Sequence, residues 1–351
     1  MLQGEDDILG LDSPTRANLQ PAPTGLGGDA TLQDAVRDLI LTYHDLNPST
    51  VPVLTDPPSP LQFLRHIARN TPFVVRSGAS DYAACRKWSA TYLSTVMQDP
   101  TYTGPTHYAQ TQNDNLRHEY ETLFSDVPAS IPWARLALAN TSPDAINFWL
   151  GNSHSTTALH KDNYENVYVQ VLGRKHFVLL PPVEAPCVGE RAVLAATYAP
   201  RRRKIQEEGG SDGCDDDVAS KEDLFLQIDS PEEYVPFATW DPDFPKVNAT
   251  PYSHLARPLR VTLEEGDVLY LPALWYHKVS QSCNDEGVCC AVNYWYDLDF
   301  SGGFWSTANF VRSVGLLSMR GGDGEKEKGE EGEKEKGEEG GNDTEGSAKV
   351  E

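Results

Sequence analysis

The sequence predicts a mainly β, α+β fold built as one folded unit, and three observations carry that prediction. Short apolar runs crowd the second half of the chain, turn residues break them repeatedly, and no helical segment separates them in the manner of βαβ units. Such a series packs as an antiparallel sandwich or barrel.

The first half mixes helices with a short strand. "TLQDAVRDLILTYH", residues 31–44, puts Leu32, Val36, Leu39, Ile40 and Tyr43 on one face at helical spacing, so an amphipathic helix is expected. "SPLQFLRHIARN" reads as a helix started by Pro60 and ended near Asn70 to Pro72, with "PFVVRS" following as a strand. "KWSATYLSTVM" is a third expected helix. From about Thr106 onward strands dominate: "THYAQTQ" alternates, "DAINFWLG" is apolar and aromatic, "NVYVQVLG" ends in a turn, and "KHFVLLPP" stops at a Pro pair. "LRVTLE", "DVLYLP", "WYHKVSQS" and "VCCAVNYWYDL" complete the series.

Both ends and one insert differ in composition. Residues 1–30 show no period, and the C-terminal "GGDGEKEKGEEGEKEKGEEGGNDTEGSAKVE" has too few apolar side chains to offset its ordering entropy. The expected organisation is therefore a disordered segment 1–30, a helical and mixed segment 31–105 packing on the core, a β core over 106–317, and a disordered acidic tail 318–351. The β core carries a polar, Gly-rich insert at 200–223.

Charge and cysteine usage exclude several classes. The formal charge is −23; residues 320–351 contribute −6 (twelve acids against six bases), leaving −17 for the remainder. Phosphate backbones need a basic surface, so direct nucleic-acid binding is not expected, whereas a basic protein segment would be attracted. No signal-peptide pattern opens the chain and no apolar run is long enough to span a bilayer. Six cysteines, Cys85, Cys187, Cys214, Cys283, Cys289 and Cys290, include no C-x-x-C pair, so zinc ribbons and disulfide scaffolds fail on spacing. A reduced, cytoplasmic location, with the nucleus as a further one, is the expectation.

The chemistry concentrates in "TTALHKDNYENVYVQVLGRKHFVLLPP". His160 and Asp162 stand two apart, and on an extended segment they would share one side. An imidazole and a carboxylate so placed supply two thirds of the facial triad that holds non-haem Fe(II). Candidates for the third ligand are His154, His176, His254 and His277. His254 lies in a loop, His176 points opposite Lys175, and His154 stands at the rim. His277 ends the pattern G-D-x-x-x-x-P-x-x-x-x-H, formed by Gly266, Asp267, Pro272 and His277, which brings it early into a strand. Lys175 has two readings: a buried cation that needs an anion, or part of an exposed "GRK" turn.

The strings "HKDNYENVY", "LPALWYHKV" and "NYWYD" resemble the Jumonji-C 2-oxoglutarate oxygenases, nearest to their small lysyl hydroxylases, over about Val51 to Phe310. The resemblance implies a double-stranded β-helix (jelly-roll, cupin) core with flanking N-terminal and C-terminal helices. It implies His160, Asp162 and His277 as Fe(II) ligands and catalytic centre, with 2-oxoglutarate and O2 as co-substrates. Lys175, Thr157 and Tyr108 would then hold the distal carboxylate of 2-oxoglutarate, and Asn166 and Asn293 would lie near metal and co-substrate. Trp295 has two readings, pocket wall and core packing.

The implied partner is a protein substrate with a target lysine, in this subgroup a translation-associated GTPase of the developmentally regulated GTP-binding type, hydroxylated at C3. A homodimer is expected by analogy. Rival readings are a histone N-methyl-lysine demethylase of the same metal chemistry and a non-enzymatic cupin-like binding module. The chain departs from the family between Trp88 and Tyr108, where relatives carry several tens of residues more. An abbreviated substrate entrance and a lost exon both fit that shortening.

Overall fold

Two capping boxes start the first two helices of the computed structural model, which describes residues 31–97, 113–200 and 224–320. Thr31 and Asp34 exchange side-chain and backbone hydrogen bonds at the head of α1 (Leu32–Leu46), and Ser59 and Gln62 do the same for α2 (Pro60–Arg69). Asn70 ends α2 in the left-handed region, where a short amide side chain is tolerated. Strands β1 (Val53–Leu54) and β2 (Phe73–Val75) flank α2.

The expected third helix is two: α3 (Ala83–Lys87) ends at Trp88, and α4 (Ala90–Met97) begins after Ser89. Three further helices, α5 (Asn115–His118), α6 (Glu121–Phe124) and α7 (Pro132–Ala137), occupy a region expected to be strand-rich. Helices of four to six residues are too short to leave a 3.6-residue period in the sequence. The remaining elements are β3 (Ala145–Gly151), β4 (Thr156–His160), β5 (Tyr164–Leu172), β6 (Arg174–Leu180), β7 (Glu190–Leu194), β8 (Ala196–Pro200), β9 (Leu224–Ile228) and β10 (Tyr234–Ala238). They are followed by β11 (Leu259–Leu263), β12 (Val268–Leu271), β13 (Tyr276–Ser282), β14 (Cys289–Asp297) and α8 (Gly303–Arg320).

The strands form two principal sheets, ordered β1-β2-β12-β5-β14-β3 and β11-β6-β13-β4, with β7–β10 and β8–β9 as separate two-stranded ribbons. All pairings are antiparallel except β1 with β2. Period-two alternation divides the six-stranded sheet between two cores. Val167, Val169 and Val171 of β5, with Val292, Tyr294 and Tyr296 of β14, pack with Phe63, Trp88 and Leu123 from the helical layer. Tyr168 and Ala291 face the other way, against Phe177, Leu179 and Leu263 of the second sheet. The result is a jelly roll with one flank covered by helices. Segment 31–105 therefore does more than pack on the core, because β2 pairs with β12 and extends the sheet.

Two expectations need correction. Leu32 and Leu39 of α1 are 46% and 40% exposed, because only the narrower stripe of Val36 and Ile40 rests on Cys187 and Tyr252. The tail does not begin at 318: α8 runs to Arg320, and the buried Ser318 hydroxyl accepts from Tyr252 OH at 2.8 Å and donates to the Gly315 carbonyl at 2.7 Å. The "THYAQTQ" strand and most of the 200–223 insert lie outside the described residues.

The Gly-Asp turn before β12 has a mechanical role. Gly266 takes φ +86°, and a Cβ there would stand 2.6 Å from Ser80 Oγ. The buried Asp267 carboxylate accepts from the Ser77 backbone N–H at 2.9 Å, from the Glu264 N–H at 2.8 Å and from the Arg76 guanidinium. One side chain thus fixes the β11–β12 turn to the end of β2. Asp267→Ala would leave two backbone donors unsatisfied and should lower stability by about 2–3 kcal/mol, read as a lower urea midpoint.

Candidate active site

Register brings two histidines face to face. His160 closes β4, His277 is the second residue of β13, and the two are direct partners in the antiparallel ladder. Their rings lie 4.1 Å apart between centroids. Each imidazole is oriented by the carbonyl two residues before it: His160 Nδ1 is 2.8 Å from the Ala158 oxygen, and His277 Nδ1 is 3.0 Å from the Trp275 oxygen. A carbonyl only accepts, so Nδ1 carries a proton in both rings and Nε2 is the nitrogen turned towards the other ring and Asp162. Burial, and then the neighbouring His160, push His277 down to about 4, which holds it neutral.

Asp162 reaches the same point by a different route from that expected. It lies beyond β4 in the link to β5, not on an extended strand. Its carbonyl accepts from the Leu274 N–H at 2.9 Å, which ties the link to the β12–β13 connection, where Leu274 has φ +68°. The Asp162 Oδ2 atom stands 3.6 Å from His277 Nε2 and 3.9 Å from His160 Nε2. The three donor atoms lie within 4.8 Å of one another, and one divalent ion could bridge them.

Beside this cluster a cavity opens between the sheets, with Thr157, Asn166, Lys175, Asn293 and Trp295 in its wall. Asn166 and Asn293 occupy inward positions of β5 and β14, in phase with Tyr168 and Ala291. Trp149 Nε1 donates to Asn293 Oδ1 at 2.9 Å, and Asn293 Nδ2 donates to Asn166 Oδ1 at 3.0 Å. An indole can only donate, so this relay fixes which way both amides point and leaves Asn166 Nδ2 for the cavity. Trp149 is the residue that sequence reasoning missed; its signal was the inward phase of "NFWLG", two residues from Asn147.

Lys175 does not belong to an exposed turn. It is 5% exposed on β6, it faces the cavity with Phe177, and it has no hydrogen-bond or ion-pair partner among the described residues. Burial pushes its ammonium below the usual lysine range. A buried cation of this kind is costly unless an anion pairs with it. His176 points to the other face, bonded to Thr262 and Ser282 hydroxyls, while His154 and His254 are exposed outside the cavity. Trp295 satisfies both of its readings, lining the cavity and stacking on Tyr164 at 4.6 Å. Tyr108 lies outside the described residues.

A jelly roll whose inner face gathers two oriented imidazoles, a carboxylate and a buried lysine with no partner among the described residues fits a metal-dependent oxygenase class. The cupin-like domain family matches residues 96–302, and the chain belongs to that family in its Jumonji-C branch. It is similar to the bifunctional peptidase and (3S)-lysyl hydroxylase JMJD7 of Homo sapiens, 33% identical over 72% of this chain and 86% of that protein. It is also similar to the lysine-specific demethylase JMJ32 of Arabidopsis thaliana, 31% identical over 73% of this chain and 84% of the relative. A third relative, the JmjC domain-containing protein E of Dictyostelium discoideum, is 28% identical over 69% of this chain and 83% of that protein. The chain is thus a 2-oxoglutarate-dependent oxygenase of a family that uses Fe(II).

A buried cation with no partner among the described residues should cost the ligand-free protein stability. Lys175→Met keeps the apolar stem and removes the charge, so it should stabilise the ligand-free chain by about 1 kcal/mol or more, measured by urea unfolding. Because folding lowers the lysine's proton affinity, the wild type should gain stability as pH rises from the lowered folded value towards the ordinary lysine value. The variant should lack that gain.

Proposed function

We propose that this chain is a protein lysyl hydroxylase in which His160, Asp162 and His277 hold Fe(II) and Lys175 receives the distal carboxylate of 2-oxoglutarate. The observation that carries the reading is the buried lysine, without a partner among the described residues, opening on the same cavity as the three convergent donors. Thr157 in the same wall, and Tyr108, would add hydroxyl donors to that carboxylate, and the free Asn166 amide would donate towards the metal-proximal end. The chemistry supplied by Fe(II) when bound is O2 activation, coupled to decarboxylation of 2-oxoglutarate to succinate and CO2 and to insertion of one oxygen atom into a substrate C–H bond.

The protein's part is orientation and exclusion of water. The two Nδ1–carbonyl bonds present the Nε2 atoms of both imidazoles without rearrangement, as oriented ligands require. The Lys175 ammonium and the Thr157 hydroxyl fix one end of a dicarboxylate, so that its other end is aimed at the triad. Phe177 and Trp295 make the wall apolar, which strengthens each of these contacts.

The lysine substrate rests on the name of the human relative and on the charge of −17 outside the tail, which favours a basic segment. The proposed partner is a translation-associated GTPase of the developmentally regulated GTP-binding type, modified at lysine C3. A homodimer is also proposed, supported by the exposed Leu39 of α1 and Phe310 and Leu317 of α8. The name of the Arabidopsis relative favours a second reading, in which an N-methyl group is oxidised and leaves as formaldehyde.

Anaerobic binding of Fe(II) and 2-oxoglutarate, followed by O2, separates these readings by mass spectrometry of lysine peptides from such a GTPase. A gain of one oxygen atom with matched succinate supports the hydroxylase; loss of a methylene from a methylated peptide with release of formaldehyde supports the demethylase. Asp162→Ala should keep the fold and cut succinate formation by more than about 100-fold, beyond the cost of losing an outer-shell partner. Undiminished succinate from that variant refutes the triad.

A further inference from the structure

We infer that Glu190 is a positioning residue: one buried carboxylate grips the sequence neighbours of all three proposed metal ligands and binds them to the C-terminal helix. The inference rests on the triad reading above. Glu190 opens β7 with a side chain 1% exposed. Its Oε2 accepts from Lys161 Nζ at 2.6 Å and from Tyr276 OH at 2.6 Å, and its Oε1 accepts from Arg312 Nε at 2.6 Å and from Arg312 Nη2. Lys161 also lies 3.2 Å from Tyr276 OH and 5.0 Å above the Tyr276 ring.

The placement of these donors is what matters. Lys161 is the residue between His160 and Asp162, and Tyr276 is the residue before His277. Strand alternation turns Tyr276 to the face opposite His277, and Lys161, in the link after β4, meets it at the Glu190 carboxylate. Any slack at Glu190 is therefore transmitted through one backbone step to every ligand. The C-terminal helix supplies the third grip by Arg312 and a second, apolar contact: Trp305 and Ala308 pack against the cluster of Ala273, Leu274 and Leu298. Leu274 is the residue whose N–H donates to the Asp162 carbonyl. An ionic brace and an apolar brace from one helix thus meet at the same short link.

A buried network of two cations and one carboxylate carries a desolvation cost that its Coulomb energy offsets only with good geometry, so such a network is weak evidence of added stability. Geometry is what this one supplies. Outer-shell partners that orient metal ligands typically contribute about 10–100-fold in metal affinity.

Co(II) titration of the full chain without O2, followed by its visible ligand-field bands, tests the inference. Glu190→Gln should weaken Co(II) binding by about tenfold and shift the bands, and Tyr276→Phe, which removes one hydroxyl, should do so several-fold. Asp126→Asn serves as a control for general loosening. Asp126 gathers Lys87, Trp88 and Tyr92 in the helical layer, so its loss should lower the melting temperature and leave Co(II) affinity and bands unchanged. Wild-type affinity and unshifted bands in Glu190→Gln overturn the inference, as does a loss in Asp126→Asn equal to that in Glu190→Gln. Should Glu190→Gln fail to fold, Tyr276→Phe decides alone. A wild-type chain that takes up no Co(II) overturns the triad reading and this inference together, whereas wild-type uptake with unaltered variants overturns this inference only.

Discussion

The antiparallel register that sets His277 of β13 against His160 of β4 is the constraint on which the site depends. A slip of one residue would turn His277 to the outer face and bring Tyr276 or Lys278 inward. The register is held from both sides, since β13 also pairs along its full length with β6. There Gln281 stands opposite Lys175, so the same ladder that places a proposed ligand also places the buried lysine. His277 and Lys175 are therefore spaced by strand geometry and not by flexible loops.

Polar groups inside a jelly roll are tolerable only when each has a partner or awaits one. The inner face solves this in two ways. The Trp149–Asn293–Asn166 relay is closed by the protein itself and leaves one directed donor. Lys175 has no such closure among the described residues, which makes the empty protein pay for readiness to take an anion. The outer face of the same strands carries the opposite bias: apart from Glu165, whose carboxylate is capped by Tyr270 OH and the Ala273 N–H, the helical flank of β5 and β14 is apolar.

Fold class and most of the strand-bearing segments were legible because apolar alternation and Gly or Pro turns are local signals. His277 was distinguishable from the other histidines for the same reason, through the Gly-Asp turn and Pro272 that frame it. Three kinds of feature were not legible. Helices α5 to α7 are shorter than two turns, and ribbons β7 to β10 flank an insert whose composition masks them. The position of Asp162 off the strand depends on a hydrogen bond to Leu274, more than a hundred residues away in sequence. The choice between an exposed and a buried Lys175 also needed the tertiary fold, because a Gly-Arg-Lys turn and a strand start look alike in one dimension.

The strand order carries a consequence for how the chain is made. β14, the last strand in sequence among the described residues, lies in the interior of the large sheet between β5 and β3, and β12 separates β5 from β2. During synthesis the earlier strands emerge with their central neighbour missing, so the apolar edges of β3 and β5 remain unpaired until almost the whole chain has left the ribosome. Such pairing between distant segments is slow. The nascent protein thus passes through a long interval as an open sheet, a state in which a chaperone would find it and in which truncated chains would aggregate.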